Sequence, residues 1–154
     1  MPGADADADA DADLAALQGV PGLDAARGLA AVGGRVAVYR RLLALFVEKH
    51  ADDGRQIDRL LAGQRVAEAA ALAHRLRGAA ATLGLVEVET AVQALDDALD
   101  EALAAPPALR GTQENLAGVT GMAGVAGVTD AALATPVLRA LDELLPPLGH
   151  ALAR

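Results

Sequence analysis

The stretch AHRLRGAAATLGL, residues 73–85, decides how the rest of the chain is read. Alanine and leucine fill most of it, as in a helix packed against a core. It also holds His74, Arg75, Arg77, Gly78 and Gly84 at set positions. A helix turns about 100° per residue, so its faces can be worked out from sequence. Over residues 65–83, Leu72, Leu76 and Leu83, with Ala69 and Ala80, define the core direction. His74 then stands about 150° from that direction, nearly opposite the core. Arg77 and Gly78 lie on the same outer side one turn on, and Ala67, Ala70, Ala71 and Ala81 surround the histidine. A solvated helix face ordinarily carries Glu, Lys and Gln. This one is stripped of side chains, and a mid-helix glycine costs ~1 kcal/mol relative to alanine. A flat patch of small residues around one imidazole suits close approach by another protein. The plain alternative is a surface histidine on an alanine-rich helix.

Working outward, Gly84 sits where a glycine ends a helix, and a second long helix is expected over 86–104. Its apolar set is Val88, Val92, Leu95, Leu99, Ala102 and Leu103. Two long amphipathic helices with almost no loop between them form an antiparallel hairpin. Upstream, RVAVYRRLLALFVEKHADD (35–53) reads as a long helix, with Val36, Tyr39, Leu43, Phe46 and Val47 on one side. Residues 55–62 add a turn or two around Ile57, Leu60 and Leu61, and Gly63 is a plausible break. GLDAARGLAAV (22–32) is expected as a short helix across one end of a bundle. Downstream, APPALRG (105–111) ends the second hairpin helix. A glycine every third residue, at 118, 121, 124 and 127, marks a flexible loop over about 106–129. Thr135-Pro136 reads as an N-cap followed by proline at the first helical position. Val137, Leu138, Leu141, Leu144, Leu145 and Leu148 form the buried face of a last helix, which Pro146-Pro147 is expected to end or kink. The fold class is therefore all-α: an antiparallel up-and-down four-helix bundle with a short N-terminal helix.

Bulk composition agrees. The 154 residues fit one domain, long enough to bury a core without staples. There is no cysteine, which excludes disulfides and Cys-based metal sites. Tyr39 and Phe46 are the only Phe, Trp or Tyr residues in the chain. Five of the excess acidic charges, at Asp5, Asp7, Asp9, Asp11 and Asp13, lie in one low-complexity run, which leaves the rest of the chain near −3 of the −8 total. That run places a disordered acidic tail over residues 1–19, ahead of a helical bundle over 20–154. A solubility tail is preferred for it over a binding role. No basic stripe exists to release counterions, so no nucleic acid partner is expected. No run reaches the ~20 apolar residues of a membrane span, and the acidic start lacks a secretory pattern. No membrane insertion and a cytoplasmic location are expected.

The histidine stretch resembles the histidine phosphotransfer (HPt) domain family, four-helix bundles of phosphorelays. The family pattern is His, then Lys three residues on, Gly four on, a small residue seven on and Gly ten on. The matching residues here are His74, Arg77, Gly78, Ala81 and Gly84, with Leu76 between the histidine and the cation. YRRLLALFVEKH, with Tyr39, Leu42, Leu43 and Phe46, is similar to the family's preceding helix. The resemblance covers roughly residues 20–104, and beyond them only a final bundle helix. Two departures stand out. Arg77 replaces the usual lysine, a planar fork in place of a point charge. Asp96 stands twenty-two residues after the histidine, where many members hold the imidazole with Gln or Glu. Asp96 lies about 70° off its own helix's core direction, where it is the candidate imidazole orienter, with Gln93 the alternative one turn earlier. Glu89 and Asp100 read as a solvated acidic stripe.

The resemblance implies that His74 is a phosphoacceptor, attacking a receiver domain's phospho-aspartate through Nε2 and passing the phosphoryl group to another receiver aspartate. Arg77 would help neutralise the phosphoryl group, and Gly78 would let the partner approach. No intrinsic cofactor or metal is implied, and Mg2+ is expected on the partner receiver domain. The expected partners are a response-regulator receiver domain, a hybrid histidine kinase, or both. No Gly-rich phosphate loop is present in a strand–helix setting, so the chain is expected to be a phosphocarrier without kinase activity of its own. One rival within the family is a chemotaxis-kinase-like phosphoacceptor domain, loaded from ATP by a kinase. Another is a non-catalytic helical adaptor in which His74 is incidental. An enzyme is the weakest reading. His50 and His150 have no partners at metal-ligand spacing, and His50 fits a packed or capping role.

Overall fold

Residues 4–104 and 133–153 are described by the computed structural model. Their elements are α1 (Ala4–Gln18), α2 (Ala25–Ala31), α3 (Val36–His50), α4 (Asp53–Ala62), α5 (Val66–Leu83), α6 (Val86–Ala104) and α7 (Thr135–Leu152). The fold is all-helical with antiparallel packing, as the periodicity predicts. Helices α3, α5, α6 and α7 close a four-membered ring: α5 packs on α6, α6 on α7, α7 on α3 and α3 on α5. Tyr39, Leu43 and Phe46 from α3 meet Leu72, Leu76 and Leu83 from α5 in its core. Val88, Val92, Leu95 and Leu99 come in from α6, and Val137, Leu141, Leu144 and Leu148 from α7. Burying one such side chain contributes roughly 1.5–3 kcal/mol. Val36 and Val47 sit only half-buried at the edge of this core. Helix α4 lies against α5 and α7 and adds Ile57, Leu60 and Leu61.

The α5–α6 hairpin that carries His74 is set by Gly84. Its φ of +75° is left-handed, a conformation open to glycine. Leu85 N–H donates to Ala80 C=O at 2.9 Å and Gly84 N–H to Ala81 C=O at 3.4 Å, the paired bonds of a Schellman stop. Helix α2 is clamped across this corner. Asp24 N–H donates to Gly84 C=O at 2.7 Å, and the Asp24 carboxylate caps α2 by accepting from Arg27 N–H at 3.0 Å. Tyr39, fully buried, donates its hydroxyl to Leu83 C=O at 2.6 Å. A Cβ on Gly28 would stand 2.3 Å from both that carbonyl oxygen and the tyrosine oxygen. Only a glycine lets α2 come this close.

Three local expectations are corrected. The segment expected as a disordered tail over 1–19 holds α1 over Ala4–Gln18. Alanine favours the helix, and its C-terminal end is anchored: Leu17 is fully buried, Val20 follows in the core, and Asp13 pairs with Arg40. Of the two outcomes expected at Pro146-Pro147, an end or a kink, the end does not occur: α7 runs on to Leu152. Leu148 and Ala151 stay buried beyond them. The carbonyls that the prolines leave unpaired belong to Asp142 and Glu143, both exposed to water. Helix α7 also starts at Thr135 itself, one residue early, with Ala134 as N-cap. The glycine-rich loop over 106–129 lies outside the described residues.

Candidate functional site

Helix α5 presents His74 to solvent, its side chain 69% exposed, across a short gap from Asp96 on α6, whose side chain is only 4% exposed. Arg77, one turn along α5, fills the gap. Its Nη1 lies 2.6 Å from Asp96 Oδ2 and donates to Gln93 Oε1 at 3.1 Å. Its Nη2 lies 3.4 Å from His74 Nδ1. Asp96 Oδ2 is 3.5 Å from the same Nδ1, outside good hydrogen-bond range. The structure thus brings His74, Arg77, Gln93 and Asp96 together, with Arg77 at the centre. Asp96 is more deeply buried than its helix angle predicts, and it meets Arg77 before it meets the imidazole. Gln93, the alternative orienter, accepts from Arg77 and donates to Asp97 Oδ1 at 2.7 Å. The Nδ1 edge of the His74 ring faces Arg77 and Asp96.

The face around the imidazole is flat. A Cβ built on Gly78 meets nothing within 4 Å. Ala67 and Ala71 are exposed and Ala81 half-buried, whereas Ala70, expected beside them, is buried at 8% exposure. Gly78 also opens onto a groove between α3 and α5, about 320 Å³, lined by Leu42, Phe46, Ala79 and Leu83, with Lys49 and His50 at its rim. The groove is not evident in the sequence reading. Its signal is Leu42 and Leu45, apolar residues on α3 beside the core stripe and only half-buried.

His50 is fixed, as a packed histidine would be. Its Nδ1 is 2.6 Å from Oδ2 of buried Asp53, and its ring lies against Phe46 at a tilt of 36°, with centroids 4.8 Å apart. This pair locks the tight α3–α4 corner. Glu89 does not form a free acidic stripe with Asp100. It pairs with Arg27 at 2.8 Å and ties α6 to α2, while Asp100 stays exposed. Among the described residues, no cluster of three or more His, Cys, Asp and Glu side chains is placed to hold a metal ion. No helix among them is long and apolar enough to cross a membrane.

No curated protein and no solved structure matches the chain significantly. The family model of the Hpt domain matches residues 41–144, more than half of the chain. That span opens inside α3, ends inside α7, and contains His74, Arg77, Gly78, Gln93 and Asp96. A helical bundle that shows one exposed histidine on a bare face, with this match across it, belongs to the Hpt domain family, the phosphotransfer domains of two-component phosphorelays.

Proposed function

We propose that the chain is a cytoplasmic phosphocarrier in which His74 accepts and donates the phosphoryl group. The observation that carries this reading is the exposed imidazole, its Nδ1 facing the buried Asp96 carboxylate, beside the open Gly78 surface. A neutral imidazole is a competent nucleophile near pH 7. In the tautomer that carries its proton on Nδ1, Nε2 attacks the phosphorus of a receiver's aspartyl phosphate. The Nε2–P bond forms, the P–O bond to the aspartyl group breaks, and its electron pair returns to the receiver carboxylate. Transfer onward to a second receiver aspartate runs the same step in reverse. Such chemistry needs positioning and charge neutralisation above all. Arg77 supplies a cation within reach of the phosphoryl oxygens, and the receiver brings Mg2+. The α3–α5 groove continues the surface on which the receiver sits.

The test is incubation with a phosphorylated receiver domain, Mg2+ and no ATP. Acid-labile, alkali-stable label is expected on the protein and none on His74→Gln. Equal label on both would remove His74 from the reaction. Label only from a histidine kinase with ATP would replace this reading with that of a kinase-loaded phosphoacceptor domain. No label under either condition would leave a helical adaptor.

A further inference from the structure

We propose that Arg77 and Asp96 act on His74 as one unit, with Asp96 a positioning residue whose effect on transfer runs through Arg77. The proposal rests on the phosphocarrier reading. Asp96 and Asp53 are the two buried charged residues among those described. A buried carboxylate needs a close partner, and for Asp96 the short contact is Arg77 at 2.6 Å, not His74 at 3.5 Å. Both contacts use the same oxygen, Oδ2. Arg77 spends Nη1 on Asp96 and Gln93 and turns Nη2 toward His74 Nδ1. This fork spans α5 and α6, and a lysine's single nitrogen cannot take both positions.

The pairing matters to the chemistry. As Nε2 bonds to phosphorus, the ring gains positive charge while negative charge stays on the phosphoryl oxygens. A loose cation beside Nδ1 would oppose the first change. With Asp96 against it, the guanidinium is offset on the ring side. The Arg77 side chain stays 29% exposed, so it remains open to solvent beside the ring. Without Asp96 the guanidinium would swing into water.

Two measurements on the full chain test this. In 15N spectra at low temperature, the Arg77 Nη signals are expected to be resolved by hindered rotation in wild type and in His74→Gln. In Asp96→Asn they are expected to average. Resolved signals in Asp96→Asn would overturn the anchor. The second is a double-mutant cycle on the transfer rate from a phosphorylated receiver. Asp96→Asn is expected to slow transfer about tenfold in the native background and less than about twofold in Arg77→Met. The same loss in both backgrounds would show Asp96 acting directly on His74 and overturn the proposal. If Arg77→Met does not fold, Arg77→Gln, which also removes the cation, serves as the second background, with the same expectation. Label appearing on His74→Gln would sink the phosphocarrier reading and this proposal with it, but would leave the guanidinium spectra as measured.

Discussion

Replacing Gly78 with alanine separates what the fold wants from what the site wants. The residue lies in the body of α5, exposed, and an added Cβ meets nothing within 4 Å. No clash opposes the change, so the helix propensity difference is gained whole, ~0.8–1 kcal/mol of added stability. For a domain of this size that raises Tm by about 2–4 °C. Urea unfolding followed by far-UV circular dichroism would read it. The Thr82 hydroxyl, which donates to Gly78 C=O at 2.9 Å, is undisturbed. Function moves the other way. The methyl group rises from the surface one turn from His74, where a receiver must close to bonding distance. Holding the reacting atoms apart by about 1 Å costs on the order of 100-fold in rate. Gly78→Leu, which sets a longer side chain on the same open Cβ position, should transfer more slowly again. A stabilised Gly78→Ala that transfers at the native rate would refute the idea that glycine keeps room for a partner. An unstabilised one would refute the geometry of α5 itself.

Other expectations follow from the α2 corner. Burial first, and the nearby Asp24 charge second, push the Tyr39 phenol up to about 12. The folded state therefore holds this proton more tightly than the unfolded chain, whose phenol titrates near 10. The stability involved is complete below about pH 10 and is lost as pH rises through about 12, roughly 3 kcal/mol in all. Tyr39→Phe should abolish that alkaline slope and cost about 1–3 kcal/mol at neutral pH for the lost buried bond to Leu83 C=O, both read by urea midpoints across pH. A slope unchanged in the variant would place the alkaline sensitivity elsewhere. Gly28→Ala should cost at least about 1–3 kcal/mol, because its Cβ overlaps backbone and a locked ring. Gly84→Ala should cost a similar amount from its left-handed backbone and the Asp24 oxygen 2.2 Å from the new Cβ. Native urea midpoints in both would refute the close approach of α2.

The sequence makes the ring of helices legible because each helix carries a strong three-and-four period of leucine and valine. The His74 face is legible for the complementary reason, since a bare stripe on a helix conspicuously lacks the usual charges. Local rules fail where contacts distant in sequence decide the outcome. In α1 the Ala/Asp alternation carries no helical period, and what fixes it is Leu17, Val20 and the Asp13–Arg40 pair at its C-terminal end. In α7 two prolines obey their own rule, yet Leu148 and Ala151 gain enough burial beyond them to hold the helix.

The site shows the same division more sharply. Helix angles bring Arg77 and Asp96 toward a common side of the α5–α6 hairpin, but they do not say which partner a carboxylate chooses. That choice turns on side-chain reach. Aspartate is short, arginine is long and forked, and the two meet at 2.6 Å while the imidazole stays 3.5 Å away. Glu89 behaves in the same way: on α6 alone it belongs to an acidic stripe, but Arg27 of α2 lies close enough to claim it at 2.8 Å. In each case the backbone pattern sets which groups are neighbours, and the lengths of the charged side chains then decide which of them pair. Roles for site residues read from helix angles alone are therefore sound to the level of a neighbourhood. Within it, the partner of each charge has to come from distances.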